Sequence, residues 1–210
     1  MIELLVVDDH TIFRAGITRL MSDQADMRVT GEAADGPAAL AMIGRHRYDV
    51  VLMDINMGAR NGLETLAAIR TQQPRLPVIM LSMYAEAQYA RLALKARANA
   101  YLSKDVDTDE LIRAVRHVAG GGVYVTTSFA SAAMMQRAQP QASESHEALS
   151  PREMQVMQKI ARGISLTEIA VQMCVSVKTI GSHRSRILEK LGVASNAELV
   201  QYAVRHGLVD

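Results

Sequence analysis

The sequence predicts an α/β fold, a doubly wound, five-stranded parallel sheet, followed by a small all-α unit of four helices. Three observations predict it. Short apolar runs alternate with helix-period segments through about the first 120 residues. Two of those runs, Val50–Met53 and Val78–Leu81, are unbroken, as strands covered on both faces require. From Ser150 onward, serine-led helix starts recur instead.

Taken in order, Ile2–Val7 reads as a strand and Thr11–Met21 as a helix with Ile12, Ile17, Leu20 and Met21 on one face. Val29–Ala33 is a weaker strand, and a helix follows from Pro37 to His46. The next strand and helix are Val50–Met53 and Leu63–Thr71, then Pro77–Ser82 and Glu86–Ala96. Ala98–Ser103 and Thr108–Ala119 complete five βα units. Gly120–Gly122 interrupt the rhythm. Residues 128–148 are rich in Ala, Ser and Gln around Pro140, which suits a tether, with helical character around Phe129–Arg137. Beyond it, "SPRE", "SLTE" and "SNAE" begin at Ser150, Ser165 and Ser195, each a predicted capping box, and Ser176 supplies a further cap in "SVKT". Helices are therefore expected to start near residues 151, 166, 177 and 196. The second and third are separated only by "CVS", which is helix-turn-helix spacing. The expected division is 1–122, a linker over 123–147, and 148–210.

Whole-chain charge is nearly balanced, but the two ends differ. Residues 1–125 carry 14 Lys+Arg against 15 Asp+Glu, a net of −1, while residues 148–210 carry 8 against 5, a net of +3. A basic tail on a neutral body fits nucleic acid, and an ordinary solvated surface explains it equally well. The single cysteine, Cys174, excludes an internal disulfide, and its position between Met173 and Val175 predicts a packed thiol. The opening "MIELLVV" lacks a basic leader, and no apolar run is long enough for a bilayer, so a cytoplasmic protein without membrane association is expected. The histidines show no metal-ligand spacing.

Ligands in an open parallel sheet bind beyond the carboxyl ends of the strands, near the switch in strand order. Asp8 and Asp9 follow the first strand, Asp54 ends the third, Ser82 the fourth, and Lys104 follows the fifth. Singly, each is an ordinary loop residue. Together they put clustered acids, a hydroxyl and a lysine on one edge. Close-packed carboxylates repel and call for a cation, and oxygen ligands favour magnesium (Mg2+) with a phosphate. Aspartate can act as nucleophile and form an acyl phosphate. Asp54 stands alone at a strand tip and suits that task, whereas the adjacent Asp8 and Asp9 suit the cation.

The set "VVDDH", "VVLMDINM…NGLE", "VIMLS" and "YLSKD" resembles the receiver domain of two-component response regulators over about residues 1–120. The resemblance implies a flavodoxin-like receiver whose Asp54 accepts phosphate from a histidine kinase. Asp9, Asp54 and the backbone carbonyl of Asn56 would be direct magnesium ligands, assisted by Asp8. Lys104 would contact the phosphoryl oxygens, and Ser82 and Tyr101 would be the switch pair. Two positions depart from the family pattern. Gly58 stands where proline is usual, and Arg97 and Ala100 replace the glycines before the switch aromatic. Asn56 and Tyr84 occupy positions that tune phosphate lifetime in the family.

Residues 149–208, "LSPREMQVMQKIARGISLTEIAVQMCVSVKTIGSHRSRILEKLGV" onward, resemble the LuxR-type helix-turn-helix domain of NarL/FixJ response regulators. On the helix from Val177, Ile180, Ile187, Leu188 and Leu191 form the apolar stripe. Lys178, Ser182, Ser185, Arg186 and Lys190 are left outward, with His183 and Arg184 at the flanks. The expected contacts to double-stranded DNA are Lys178, Thr179, Ser182, His183, Arg184 and Arg186; Lys190 and Arg205 are read as ordinary surface residues. Gly181 departs from the basic residue many relatives carry and offers no side chain to a base edge. Leu199, Val200, Ala203 and Val204 on the last helix fit either a homodimer contact or core packing.

The combined expectation is a transcriptional regulator, not an enzyme, that dimerises when phosphorylated or DNA-bound. Two rival readings fit the same residues. A haloacid-dehalogenase-type phosphohydrolase also uses aspartate and magnesium, but places its acids as DxD. The other rival is a DNA-binding protein whose receiver is no longer phosphorylated.

Overall fold

The computed structural model describes residues 1–57, 61–83, 86–127, 129–130 and 145–209. It divides into two compact units, Met1–Met135 and Gln136–Asp210.

The first unit is built from β1 (Ile2–Val7), α1 (Thr11–Ser22), β2 (Met27–Ala33), α2 (Gly36–Ile43), β3 (Val50–Asp54), α3 (Gly62–Gln72), β4 (Val78–Ser82), α4 (Glu86–Lys95), β5 (Ala100–Ser103) and α5 (Thr108–Ala119). All strand pairings are parallel, in the order β2-β1-β3-β4-β5. Leu4, Val6, Leu52, Ile79, Leu81 and Leu102 bury one face of the sheet with Ile17, Met21, Leu111 and Val115 of α1 and α5. The alternate residues Leu5, Val51, Met53 and Met80 are equally buried and face the other way. The strand order reverses between β1 and β3, where Val7 is paired with Met53. That register brings the residues just beyond β1 alongside the end of β3.

Ends of elements moved by a few residues. β2 begins at Met27, two residues before the predicted start, because Ile2 and Glu3 pair with Met27 and Arg28. α2 stops at Ile43 rather than His46; Asp35 caps its start by accepting from the Ala38 N–H. β3 includes Asp54 itself. Past α5, Tyr124 N donates to Asn99 O at 2.8 Å, and Tyr124 forms a parallel bridge with Ala100. The predicted helical character around Phe129–Arg137 lies almost wholly outside the described residues, as do Gly58 and Tyr84.

The second unit has a 3-10 turn at Ser145–Ala148, then α6 (Pro151–Ala161), α7 (Leu166–Gln172), α8 (Val177–Leu191) and α9 (Asn196–Arg205). Ser150 and Ser165 form complete capping boxes with Glu153 and Glu168. The third serine behaves differently. Ser195 accepts from the Glu198 N–H, but the Glu198 carboxylate takes the Ala194 N–H. The reason lies in the backbone: φ is −143° at Ser195 against −67° at the other two, which turns its N–H away. α8 ends at Gly192 with φ +67°, the left-handed conformation glycine takes without a Cβ clash. Cys174 also has a positive φ, +51°, in the turn between α7 and α8. Its thiol is exposed, not packed as predicted, because that turn carries the side chain outward while Met173 is buried.

Candidate functional site

Asp54 closes a strand that is buried along its whole length, and its own side chain is 1% exposed. Asp8 lies beside it at the end of β1, fully buried, with its N–H bonded to Ala33 O at 3.1 Å. Lys104 reaches both from beyond β5. Its ammonium is 2.7 Å from Asp8 Oδ2 and 2.9 Å from Asp54 Oδ2, with the side chain 4% exposed. The Phe13 ring of α1 lies 4.6 Å from that ammonium, a cation–π contact. Ser82 is buried at the end of β4, opposite Ser103 of β5, and Lys104 N donates to Ser82 O at 2.7 Å. Tyr101 is buried on β5 opposite Met80, and half-buried Asn56 follows Asp54 on the loop.

Gly62 sets the floor of this loop. A Cβ there would run into the Asp54 backbone carbonyl and lie 3.1 Å from Ile55 Cα. Its N–H donates to Ile55 O at 2.9 Å. The glycine is therefore needed for close backbone approach, not for loop freedom. Asn61 starts α3 by accepting from the Leu63 N–H at 2.7 Å.

His10 is a member of the site that the sequence did not single out. Its Nδ1 lies 2.8 Å from Asp9 Oδ1 and 3.1 Å from Asp8 Oδ1. Ligand atoms of Asp8, Asp9, His10 and Asp54 all fall within 4.8 Å of one another. The only sequence signal was its place directly after two aspartates. Three carboxylates cluster where one lysine pairs with two of them, so negative charge is in surplus. Burial pushes the Asp54 carboxyl above its ordinary pKa; Lys104 opposes that shift and Asp8 adds to it. This donor set fits a hard divalent cation, and the acidic pocket can hold one.

On the second unit, Ile180, Ile187 and Leu191 of α8 are buried against α6 and α7, while Leu188 is only half-buried. Lys178, Thr179, Ser182, Ser185 and Arg186 are exposed; His183 and Arg184 are half-buried. Several of these already have local partners. Thr179 Oγ1 lies 2.8 Å from Ser176 Oγ inside the helix cap, Ser182 Oγ donates to Lys178 O at 3.1 Å, and Arg184 Nε donates to Asn196 Oδ1 at 2.6 Å. Lys190 is a structural strut: its ammonium meets Glu153 Oε2 at 2.6 Å and Ala148 O at 3.1 Å. On α9, Leu199 and Ala203 are core residues, whereas Val204 is 59% exposed. Sequence reasoning also missed the His146–Tyr202–His206 ring cluster, which joins the 3-10 turn to the end of α9.

Residues 4–116 match the response regulator receiver domain, and residues 147–203 match the bacterial regulatory proteins of the luxR family. The chain belongs to the response regulators, a family of transcription regulators rather than enzymes. It is 36% identical to the response regulator GacA of Pseudomonas aeruginosa, over 100% of this chain and 99% of that protein. It is 37% identical to the response regulator UvrY of Escherichia coli, over 100% and 97%. Its fold is shared with RcsB from Salmonella enterica serovar Typhimurium, solved bound to promoter rprA with the phosphomimetic BeF3-. That likeness has a TM-score of 0.66 and 23% identity, over 96% of this chain and 98% of the other. Among the described residues, no helix is long and apolar enough to cross a membrane.

Proposed function

We propose that Asp54 is the phosphoacceptor of a two-component system and that its phosphorylation controls dimerisation and promoter binding by the second unit. The observation that carries this reading is the buried Asp54 carboxylate at the strand-order switch, held by Lys104 between Asp8 and the neighbouring acids. In the reaction, an Asp54 oxygen attacks phosphorus on a histidine kinase phosphohistidine. The P–O bond forms, the P–N bond breaks, and the histidine nitrogen takes up a proton. Lys104 stays beside the acceptor oxygen and meets the incoming charge. Asp8, Asp9, Asp54 and the Asn56 carbonyl would hold Mg2+, which when bound supplies charge neutralisation for the phosphoryl oxygens. An apolar hollow of about 340 Å3, lined by Ile12, Phe13, Gly16, Leu20 and Leu111, adjoins Lys104 and offers the donor protein a seat.

An added dianion at Asp54 pulls Ser82 inward and tightens the contact with Lys104, and Tyr101 on the neighbouring strand β5 follows. Activation requires only that one conformation bind phosphate better than the other. The second unit binds double-stranded DNA through α8, with Lys178, Thr179, Ser182, His183, Arg184 and Arg186 at the groove and its phosphates. Exposed Val204 serves the homodimer, and the protein acts in the cytoplasm. The proposed division of labour is receiver 1–122, linker 123–147 and DNA-binding domain 148–210.

Incubation with acetyl phosphate and magnesium should add one phosphoryl group to the intact chain and none to Asp54→Ala. Phosphodonor should tighten binding to duplexes captured from genomic fragments, and that response should vanish in Asp54→Ala. An unchanged response in the variant refutes the switch. Lys178→Ala and Arg186→Ala should weaken DNA binding and flatten its salt dependence while leaving phosphorylation intact; normal binding refutes the assignment of α8.

A further inference from the structure

The outward face of α8 contains a glycine that the protein's own packing does not require. Gly181 lies inside the helix with ordinary helical φ, and a Cβ built on it meets nothing within 4 Å. Alanine in that position would strengthen the helix, since glycine is among the poorest interior residues. The buried stripe runs through Ile180, Ile187 and Leu191, so Gly181 lies to one side of it, on the face shared with Val177, Lys178 and Ser185. Val177 opens that face and is 46% exposed. The hydroxyls nearby are turned back on the helix: Ser182 donates to Lys178 O, and Ser185 donates to Gly181 O at 3.2 Å. What remains at Gly181 is bare backbone beside the Val177 methyls, a small apolar notch flanked by the Lys178 ammonium on one side and, one turn on, by Arg184, whose Nε is held by Asn196 Oδ1 at 2.6 Å.

We propose that Gly181 is a specificity-determining residue, a notch that admits the 5-methyl group of a thymine while the Val177 methyls line its rim. This rests on the DNA-binding reading of α8 and names what that face selects. In the major groove the thymine methyl is the one apolar feature on a base edge, and it distinguishes T·A from every other pair at that position. At Gly181 itself no side chain offers a hydrogen bond, so this point of the helix matches that methyl while Lys178 and Arg184 to either side remain for polar contacts. The absent Cβ lets the helix backbone come closer to the base than any side chain would allow.

The test is a methyl-for-methyl cycle on the full chain, phosphorylated with acetyl phosphate and magnesium. Duplexes are first selected from a randomised pool with the wild-type protein. Each thymine of the selected site is then replaced in turn by deoxyuridine, which removes only the methyl. At one position, wild type should lose about fourfold in affinity, the worth of one buried methyl. Gly181→Ala should melt higher than wild type yet bind the thymine duplex about tenfold more weakly, the effect of overfilling a packed contact. Deoxyuridine at that same position should return most of the variant's loss. Equal affinity of Gly181→Ala and wild type for the thymine duplex overturns the proposal. So does a loss in the variant that no deoxyuridine position relieves, because the close approach then does not involve a thymine methyl. If wild type selects no duplex at all, the DNA-binding reading itself fails and takes this inference with it.

Discussion

Replacing Lys104 with methionine keeps most of the stem and removes the ammonium that joins Asp8 and Asp54. Both carboxylates are buried, at 0% and 1% exposure, and lie 2.7 and 2.9 Å from the lysine nitrogen. Removing one partner of a buried pair costs about 3–5 kcal/mol, because charge is left uncompensated. A second argument sets a ceiling. The orphaned site can always protonate one carboxyl, whose ordinary pKa is 3.8. Doing so at pH 7 costs about 1.4 kcal/mol per pH unit, or roughly 4 kcal/mol. The two arguments agree on a loss of about 3–4 kcal/mol at pH 7. The ceiling drops with pH, to roughly 2 kcal/mol at pH 5. Hydrogen exchange of the β3 amides in EDTA, read by mass spectrometry, measures the receiver separately from the second unit. A Lys104→Met loss below about 1 kcal/mol at pH 7, or an equal loss at pH 5, would refute the charge argument.

Asp54→Asn should act in the opposite direction. Burial, opposed by Lys104 and aided by Asp8, raises the folded pKa of Asp54 above its unfolded value. Its contribution to stability is therefore complete below the ordinary carboxylate range and is lost as pH rises through the raised value. The variant should be more stable than wild type to urea at pH 7, with the gap closing in acid; equal curves at pH 7 contradict this. Glu153 shows the reverse sign. Burial pushes its carboxyl up, but hydrogen bonds from Lys190 and Ser150 outweigh burial and hold it below the ordinary range. Glu153→Gln should cost the second unit about 1–2 kcal/mol at pH 7, discounted for the half-exposed lysine, and the difference should fade as pH falls through the lowered value. Gly62→Ala should destabilise the receiver by about 1–3 kcal/mol and slow phosphorylation by acetyl phosphate, since the new methyl displaces the Asp54 carbonyl. Arg97→Gly should stabilise the receiver by about 1 kcal/mol, because Arg97 holds a left-handed φ of +67°. Thermal melts of the last two decide both.

The parallel sheet was legible because its central strands are buried on both faces and leave unbroken apolar runs in the chain. The acidic edge was legible because each member sits at a strand end, and strand ends converge by topology. What the sequence did not reveal depends on contacts between distant residues or on single torsions. Lys104 could be placed at the site, but nothing local says it bridges Asp8 and Asp54 or rests on Phe13. His10 joins the acids only because the backbone bends back after Asp9. Arg97 takes the backbone conformation that the missing family glycine would have supplied, while its carbonyl accepts two hydrogen bonds from Arg70 at 2.8 and 2.9 Å. Cys174 faces solvent through one positive φ. The apolar residues of α9 shared one periodic signal, and only packing separated inward Leu199 and Ala203 from outward Val204.

The bridge from Tyr124 to the margin of β5 also bears on solubility. An outermost strand offers unsatisfied amides and carbonyls that another chain can zip onto. Here the Asn99 carbonyl, just before β5, is already taken by Tyr124 N, and the Tyr124 phenol is anchored on Glu110 at 3.2 Å. At the far margin, Arg28 of β2 is paired with Glu3 at 3.0 Å, so charge stands along that strand. These two guarded margins oppose runaway strand-to-strand polymerisation wherever copies of the chain are crowded together.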